Sequence, residues 1–182
     1  MDIYKVLATV IKMSKMSVSR RIVTMALFIA ITFVLSRFLS IQFLPTIKIS
    51  FAFLPIALSA MLFGPVYGGL VGAIEDLIGA FLVPKGPFFP GFTLSAFLVG
   101  IIYGLILYKK PKTITRFIIS SLLISVIVNI FLNTVWLAVL FNKAFILITQ
   151  PRIIKALIML PIEIITLSLV WKYIGSQLEN KV

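Results

Sequence analysis

Pro84-Lys85-Gly86-Pro87-Phe88-Phe89-Pro90-Gly91-Phe92-Thr93-Leu94-Ser95 reads unlike the chain on either side of it. Prolines and glycines break it into turns, three phenylalanines keep it apolar, and Lys85 is its one charge. It separates two long apolar runs, Val66–Val83 and Gly91–Tyr108. A loop this apolar between runs this long is a structured hairpin at a membrane surface. That reading sets the fold.

Working outward, four more apolar runs appear: Ile22–Leu39, Ile49–Gly64, Phe117–Phe141 and Ile153–Trp171. A spanning helix needs about 20 apolar residues, range about 17–25. The run at Ile49–Gly64 is short and holds Pro55, so it is tilted, broken or extended at its ends. The chain is 61% hydrophobic over 182 residues, and its mean hydropathy is +1.18. Soluble domains are about half apolar. The expectation is an all-α integral membrane protein of six transmembrane helices in one bundle, forming a single domain at 22–173. Residues 1–21 form a basic segment with the helical spacing of a surface helix, and 174–182 form a tail. No cleavable signal is expected, because the first apolar run lacks a small-residue cleavage site.

Seventeen Lys and Arg against five acids give a net charge of +12. The bases flank apolar runs instead of lining one polar face, so membrane topology explains them and nucleic-acid binding does not. The N-terminal segment, the stretch with Lys109, Lys110, Lys112 and Arg116, and the end with Lys172 and Lys181 are the basic connections. The positive-inside rule then places both termini in the cytoplasm and the Pro84–Pro90 loop outside. The absence of Cys and His removes cysteine nucleophiles, histidine bases and the usual zinc or haem ligands. No catalytic residue, metal site or cofactor is expected.

Small residues recur at spacing four: Ala26 and Ala30; Gly64, Gly68 and Gly72; Gly100 and Gly104. Such rows let helices approach closely. The glycine rows suit packing inside the bundle. The alanine pair also offers a smooth face to another membrane protein.

A charge at membrane depth costs about 2.5–3.5 kcal/mol on insertion scales and marks a functional site by default. Arg37, Glu75, Asp76, Arg152, Lys155 and Glu163 are the candidates. Arg152 and Glu163 lie eleven residues apart on one helical face with Lys155 beside it, cationic outside and acidic deeper. Asn129, Asn133 and Trp136 share a face of the preceding helix. Thr93 and Ser95 add polar groups near the outer end of the fourth. This layout suits an elongated ligand with an anionic end and a planar hydrogen-bonding end. Arg152 and Lys155 would pair carboxylates. Trp136, Phe92 and Phe89 would cover a flat ring, and Asp76 or Glu163 would accept ring N–H donors. Glu75 and Asp76 point about 100° apart on a helix, so only one is expected to face a given site. Structural roles compete at several positions. Lys155 and Glu163 suit a buried pair, Arg37 and Lys48 suit snorkelling to the interface, Asn129 suits interhelical bonding and Trp136 an interfacial belt.

The chain resembles the substrate-binding (S) components of energy-coupling-factor (ECF) vitamin transporters, and among them the folate-specific type. Ala26-Leu27-Phe28-Ile29-Ala30 looks like the AxxxA motif with which the family meets its coupling subunit. Met61-Leu62-Phe63-Gly64-Pro65, Gly72-Ala73-Ile74-Glu75-Asp76, the Pro84–Ser95 stretch, Asn133-Thr134-Val135-Trp136 and Pro151-Arg152-Ile153-Ile154-Lys155 match in order. The resemblance implies a high-affinity folate (or related pterin-glutamate) binder in a prokaryotic cell membrane. It implies partners as well, a transmembrane coupling subunit and two cytoplasmic ATPases. The sequence has no Walker motif, so ATP hydrolysis falls to those partners and the chain is not an enzyme. The folate-binding residues expected are Arg152, Lys155, Trp136, Asn133, Asp76, Glu163, Phe92, Thr93, Ser95 and Phe89, and the coupling-subunit contacts Ala26 and Ala30. Riboflavin, thiamine and biotin carriers are the nearest rivals. A small membrane enzyme or a scaffold or channel subunit are rivals of other classes.

Overall fold

A computed structural model describes residues 18–44, 47–142 and 144–175. Six helical rods make one bundle: α1 (Val18–Arg37), α2 (Phe53–Phe63), α3 (Pro65–Leu82), α4 (Pro90–Leu107), α5 (Ile114–Phe141) and α6 (Phe145–Tyr173). The expected surface helix before residue 18, Lys48's side chain and most of the expected tail lie outside the described residues.

Five of the six rods are long and apolar enough to cross a membrane, where six spans were expected. The exception is α2, at eleven residues about 16 Å long against a hydrocarbon core of about 30 Å. Part of the second apolar run goes elsewhere. Ile41–Leu44 and Ile47–Ile49 pair as a short antiparallel hairpin, β1 and β2, ahead of the helix, a small addition to a bundle that is all-α as expected. Ser50 then ties the chain down: its Oγ donates to the Leu35 carbonyl and accepts the Ala52 N–H. Every residue of α2 from Pro55 to Phe63 is buried. A helix apolar all round belongs inside, and α2 sits at the centre of both apolar clusters, with Tyr103, Leu107, Phe117 and Leu167 on one side and Phe28 and Val71 on the other.

The glycine rows act as expected. A Cβ on Gly100 would lie 2.1 Å from the Gly68 carbonyl carbon, and one on Gly104 2.2 Å from Pro65 Cα. So α3 and α4 run antiparallel with backbones in contact, where dispersion and close packing drive helix association in lipid. Gly64 has φ +105° at the α2–α3 turn, a conformation that side chains disfavour.

Two helices depart from their expected form. α6 begins at Phe145, eight residues before the expected Ile153, and passes through Pro151 and Pro161. A proline removes one N–H and clashes with the preceding turn, but membrane helices tolerate it where neighbours satisfy the freed carbonyl. α5 contains a nine-residue π-helical stretch, Ile124–Leu132. Its wider i→i+5 turns are rare and concentrate at functional sites.

The bundle has two unlike ends. Arg37, the hairpin, the Val83–Phe89 loop and the start of α6 form the loop end. Arg20, Arg21, Lys109, Lys110, Lys112, Arg116 and Lys172 gather at the opposite, basic end. There the Lys112 ammonium lies 4.7 Å over the Trp171 ring.

Candidate functional site

One cavity of about 570 Å³ opens among all six helices and the 85–89 loop. Its lining includes Arg37, Glu75, Asp76, Lys85, Phe89, Phe92, Ser95, Tyr103, Asn129, Asn133, Arg152, Lys155 and Glu163. These charges come from residues far apart in sequence, and each stands at a different place on the wall.

At the loop end, Arg37 reaches across from α1 to α3. Its Nε lies 4.0 Å from Glu75 Oε1 and its Nη2 3.9 Å from Asp76 Oδ1. Nη1 donates to the Val83 carbonyl at 3.3 Å. The guanidinium lies over Gly79, where a Cβ would fall 2.1 Å from Nε. Only a residue without a side chain leaves that path open. Ser36 donates a hydrogen bond to Glu75 Oε1, and Thr93 donates to Asp76 Oδ2 at 2.7 Å. Both acids therefore line one cavity, although about 100° separates them on the helix. Arg37 closes that gap from a neighbouring element, its side chain 9% exposed and turned onto α3 instead of snorkelling outward. Lys85 donates to Ser40 Oγ at 2.7 Å, tying the loop to the end of α1.

The aromatic wall stands beside this network. Phe89 packs on Trp136 with ring centroids 5.7 Å apart and edge-on to Phe92 at 6.2 Å. Trp136 Nε1 donates to Ser95 Oγ at 3.1 Å. The indole fits because Gly91 is bare: a Cβ there would lie 2.5 Å from the ring. Trp136 thus backs the wall instead of lining the cavity. Asn129 and Asn133, expected on its face, line the cavity itself.

On the far wall, Arg152 is buried and forks onto the Asn129 carbonyl, Nη2 at 2.8 Å and Nε at 3.0 Å. That carbonyl belongs to the π-helical stretch of α5. Lys155 lines the cavity one turn on, half-buried. Among the described residues no ion pair joins it to Glu163, so a closed buried pair is not formed.

The floor is formed deeper along α4 and α6. Glu163 is buried, and its Oε2 has no hydrogen-bond partner among the described residues. Tyr103 has no exposed surface, and its hydroxyl, close to that of buried Ser121, makes no well-formed hydrogen bond among the described residues. Tyr103 stands eleven residues from Phe92, about 16 Å along α4. The aromatic wall and Glu163 therefore mark opposite ends of the cavity. A single flat ring does not touch both.

Ten residues were expected to bind ligand. Arg152, Lys155, Asn133, Asp76, Glu163, Phe92, Ser95 and Phe89 line the cavity, while Thr93 and Trp136 stand behind it, bonded to Asp76 and Ser95. Tyr103 and Ser125 were not expected there, and Glu75 and Asp76 were not expected there together. A buried tyrosine in an apolar run reads as core, and nothing in the sequence marks the π-helical turns that bring Ser125 inward. Ala26 and Ala30 lie exposed on α1 among exposed Ile22, Val23 and Leu27, away from the cavity.

The ECF transporter, substrate-specific component family matches residues 20–171. The folate transporter FolT of Clostridium novyi (strain NT) is 42% identical over 128 residues, 70% of this chain and 74% of that protein. The folate transporter FolT of Leuconostoc mesenteroides subsp. mesenteroides is 38% identical over 152 residues, 80% of this chain and 81% of that protein. A crystal structure of FolT bound with folic acid superimposes with a TM-score of 0.74 at 43% identity, covering 80% of this chain and 87% of that one. A multi-pass bundle enclosing one charged cavity, with relatives of this extent, places the chain: it belongs to the substrate-specific component family of ECF transporters.

Proposed function

We infer that this chain is the folate-binding subunit of an ECF importer, taking folate from outside the cell with high affinity. The observation that carries this reading is the charge layout on α6. Arg152 and Lys155 stand above Glu163 on one wall of one cavity, and Arg152 lies about 16 Å from Glu163 along the helix. Folate has the matching sequence of parts: a glutamate with two carboxylates, an aromatic middle and a pterin ring with adjacent N–H donors. The relatives named for folate support the same ligand.

In this reading Glu163 takes the pterin donors. Asp76 already holds the Thr93 hydroxyl and faces Arg37, whereas Glu163 Oε2 is unpartnered. An unsatisfied buried polar group costs about 1–3 kcal/mol, which a ligand donor recovers. Arg152 and Lys155 take the glutamate tail, with Arg152 supplying the planar fork. Phe89 and Phe92, stiffened by Trp136, cover the aromatic middle near the mouth. Asn133 and Ser95 add polar contacts along the way. The Pro84–Pro90 loop acts as the lid, and excluding water strengthens the charge pairing beneath it.

Topology follows from the two ends: the basic end faces the cytoplasm with both termini, and the loop end faces outward. The domain at 22–173 sits in the cell membrane of a prokaryote. The exposed Ala26/Ala30 face of α1 docks on a transmembrane coupling subunit, and two cytoplasmic ATPases supply the energy.

A ligand panel tests the reading. Purified protein in detergent is unfolded thermally with folate, riboflavin, thiamine or biotin. A ligand at 100 times its Kd stabilises by about 2.7 kcal/mol, so folate should raise the Tm by several degrees. Thiamine, a cation facing Arg152 and Lys155, should leave it unmoved. A larger shift with any of the other three than with folate would overturn the assignment.

A further inference from the structure

The floor of the cavity holds a group that the ligand assignment above does not use. Tyr103 projects from α4 with no exposed surface and lines the cavity, and its hydroxyl, close to the buried Ser121 hydroxyl, makes no well-formed hydrogen bond among the described residues. Glu163 lines the same cavity from α6, and its own unpartnered oxygen is equally shut from solvent. The two stand on one floor. Ile164 and Leu167, flanking Glu163, join the apolar cluster that contains Tyr103, Ile124 and Val128.

A hydroxyl can donate or accept, and a carboxylate accepts only. Together on the floor of one cavity, they present one donor and two acceptor oxygens. The complementary ligand edge is a carbonyl oxygen adjacent to N–H groups, the edge of a cyclic acylguanidine. Neither residue alone demands that order of groups. Sites that hydrogen-bond a ligand group discriminate strongly against analogues lacking it, because their buried polar atoms are then left unpaired.

Resting on the folate reading, we propose that Tyr103 is a specificity-determining residue, its hydroxyl donating to the ring oxygen beside the N–H edge held by Glu163. The protein then distinguishes a 4-oxo pteridine from a 4-amino one at this position. The 4-amino ring replaces the acceptor oxygen with a donor and lacks the neighbouring N–H.

The test uses the full chain in detergent, with folic acid and its 4-amino analogue aminopterin as probes in calorimetric titrations. Wild type should bind folic acid at least about tenfold more tightly than aminopterin, the scale of one well-made hydrogen bond. Tyr103→Phe removes only the hydroxyl. It should weaken folic acid about tenfold and aminopterin distinctly less, so that the preference narrows. A merely structural role would weaken both equally, and equal losses, or no loss, overturn the proposal. Wild type alone is also decisive: equal affinity for the two probes overturns it without any variant. Failure of wild type to bind folic acid at all is a different result, removing the folate reading and this proposal with it.

Discussion

Arg152→Ala is expected to weaken folate binding by about 2–5 kcal/mol, roughly 30-fold to several thousand-fold, the usual cost of removing one partner of a buried charge pair. The reason lies in where the guanidinium stands. It is buried in the cavity wall, so a carboxylate beside it is paired in a dry site, where attraction is least screened. Arg152→Lys keeps the charge but loses the planar fork, and an intermediate loss should follow. Titration with 6-methylpterin, which lacks the tail, should show little change if Glu163, as proposed, is the ring's partner. Arg152 also holds the Asn129 carbonyl, so its removal disturbs α5 as well. Lys155→Met separates the two effects. It leaves Asn129 alone and should still weaken folate measurably in calorimetry. Folate affinity unchanged in both variants would sink the tail assignment.

The largest effect on stability is expected at Arg37. Arg37→Ala leaves Glu75 and Asp76 adjacent without their facing cation, Glu75 being buried. Breaking such a pair from one side typically costs about 3–5 kcal/mol. The measurement is thermal unfolding in detergent without ligand. Neutralising both acids as well, in Arg37→Ala/Glu75→Gln/Asp76→Asn, should recover part of the loss, since the like charges of the two adjacent acids go with the cation that faced them. Gly79→Val should act in the same direction as Arg37→Ala, because its side chain takes the space of the guanidinium. Arg37→Ala melting at the wild-type temperature would show that the contact across α1 and α3 contributes nothing.

The spanning helices were legible because lipid demands long apolar runs, and a chain has few ways to disguise them. The glycine rows were legible for a related reason: a backbone contact such as Gly68–Gly100 excludes every other residue. The hairpin at Ile41–Ile49 was not, since strands of four and three residues are too short to show a period. Pro151 misled, reading as a boundary when α6 continues through it. Pairing Glu75 with Asp76 at one cavity was invisible because the joining group, Arg37, comes from another helix. Helical spacing describes one helix at a time. The same limit hid Tyr103, whose meaning depends on Glu163 sixty residues later. It also placed Trp136 on a face with Asn129 and Asn133, where the π-helical turns and the bare Gly91 send its indole behind the wall.

The central claim is that this cavity holds folate, and the most direct measurement identifies what the protein holds when it leaves the cell. Protein made in cells supplied with mixed vitamins is purified in detergent and denatured, and the released small molecules are identified by mass. A folate is expected at close to one per chain, reduced sharply in Arg152→Ala. Riboflavin, biotin or thiamine released in that amount, with folate absent, would contradict it.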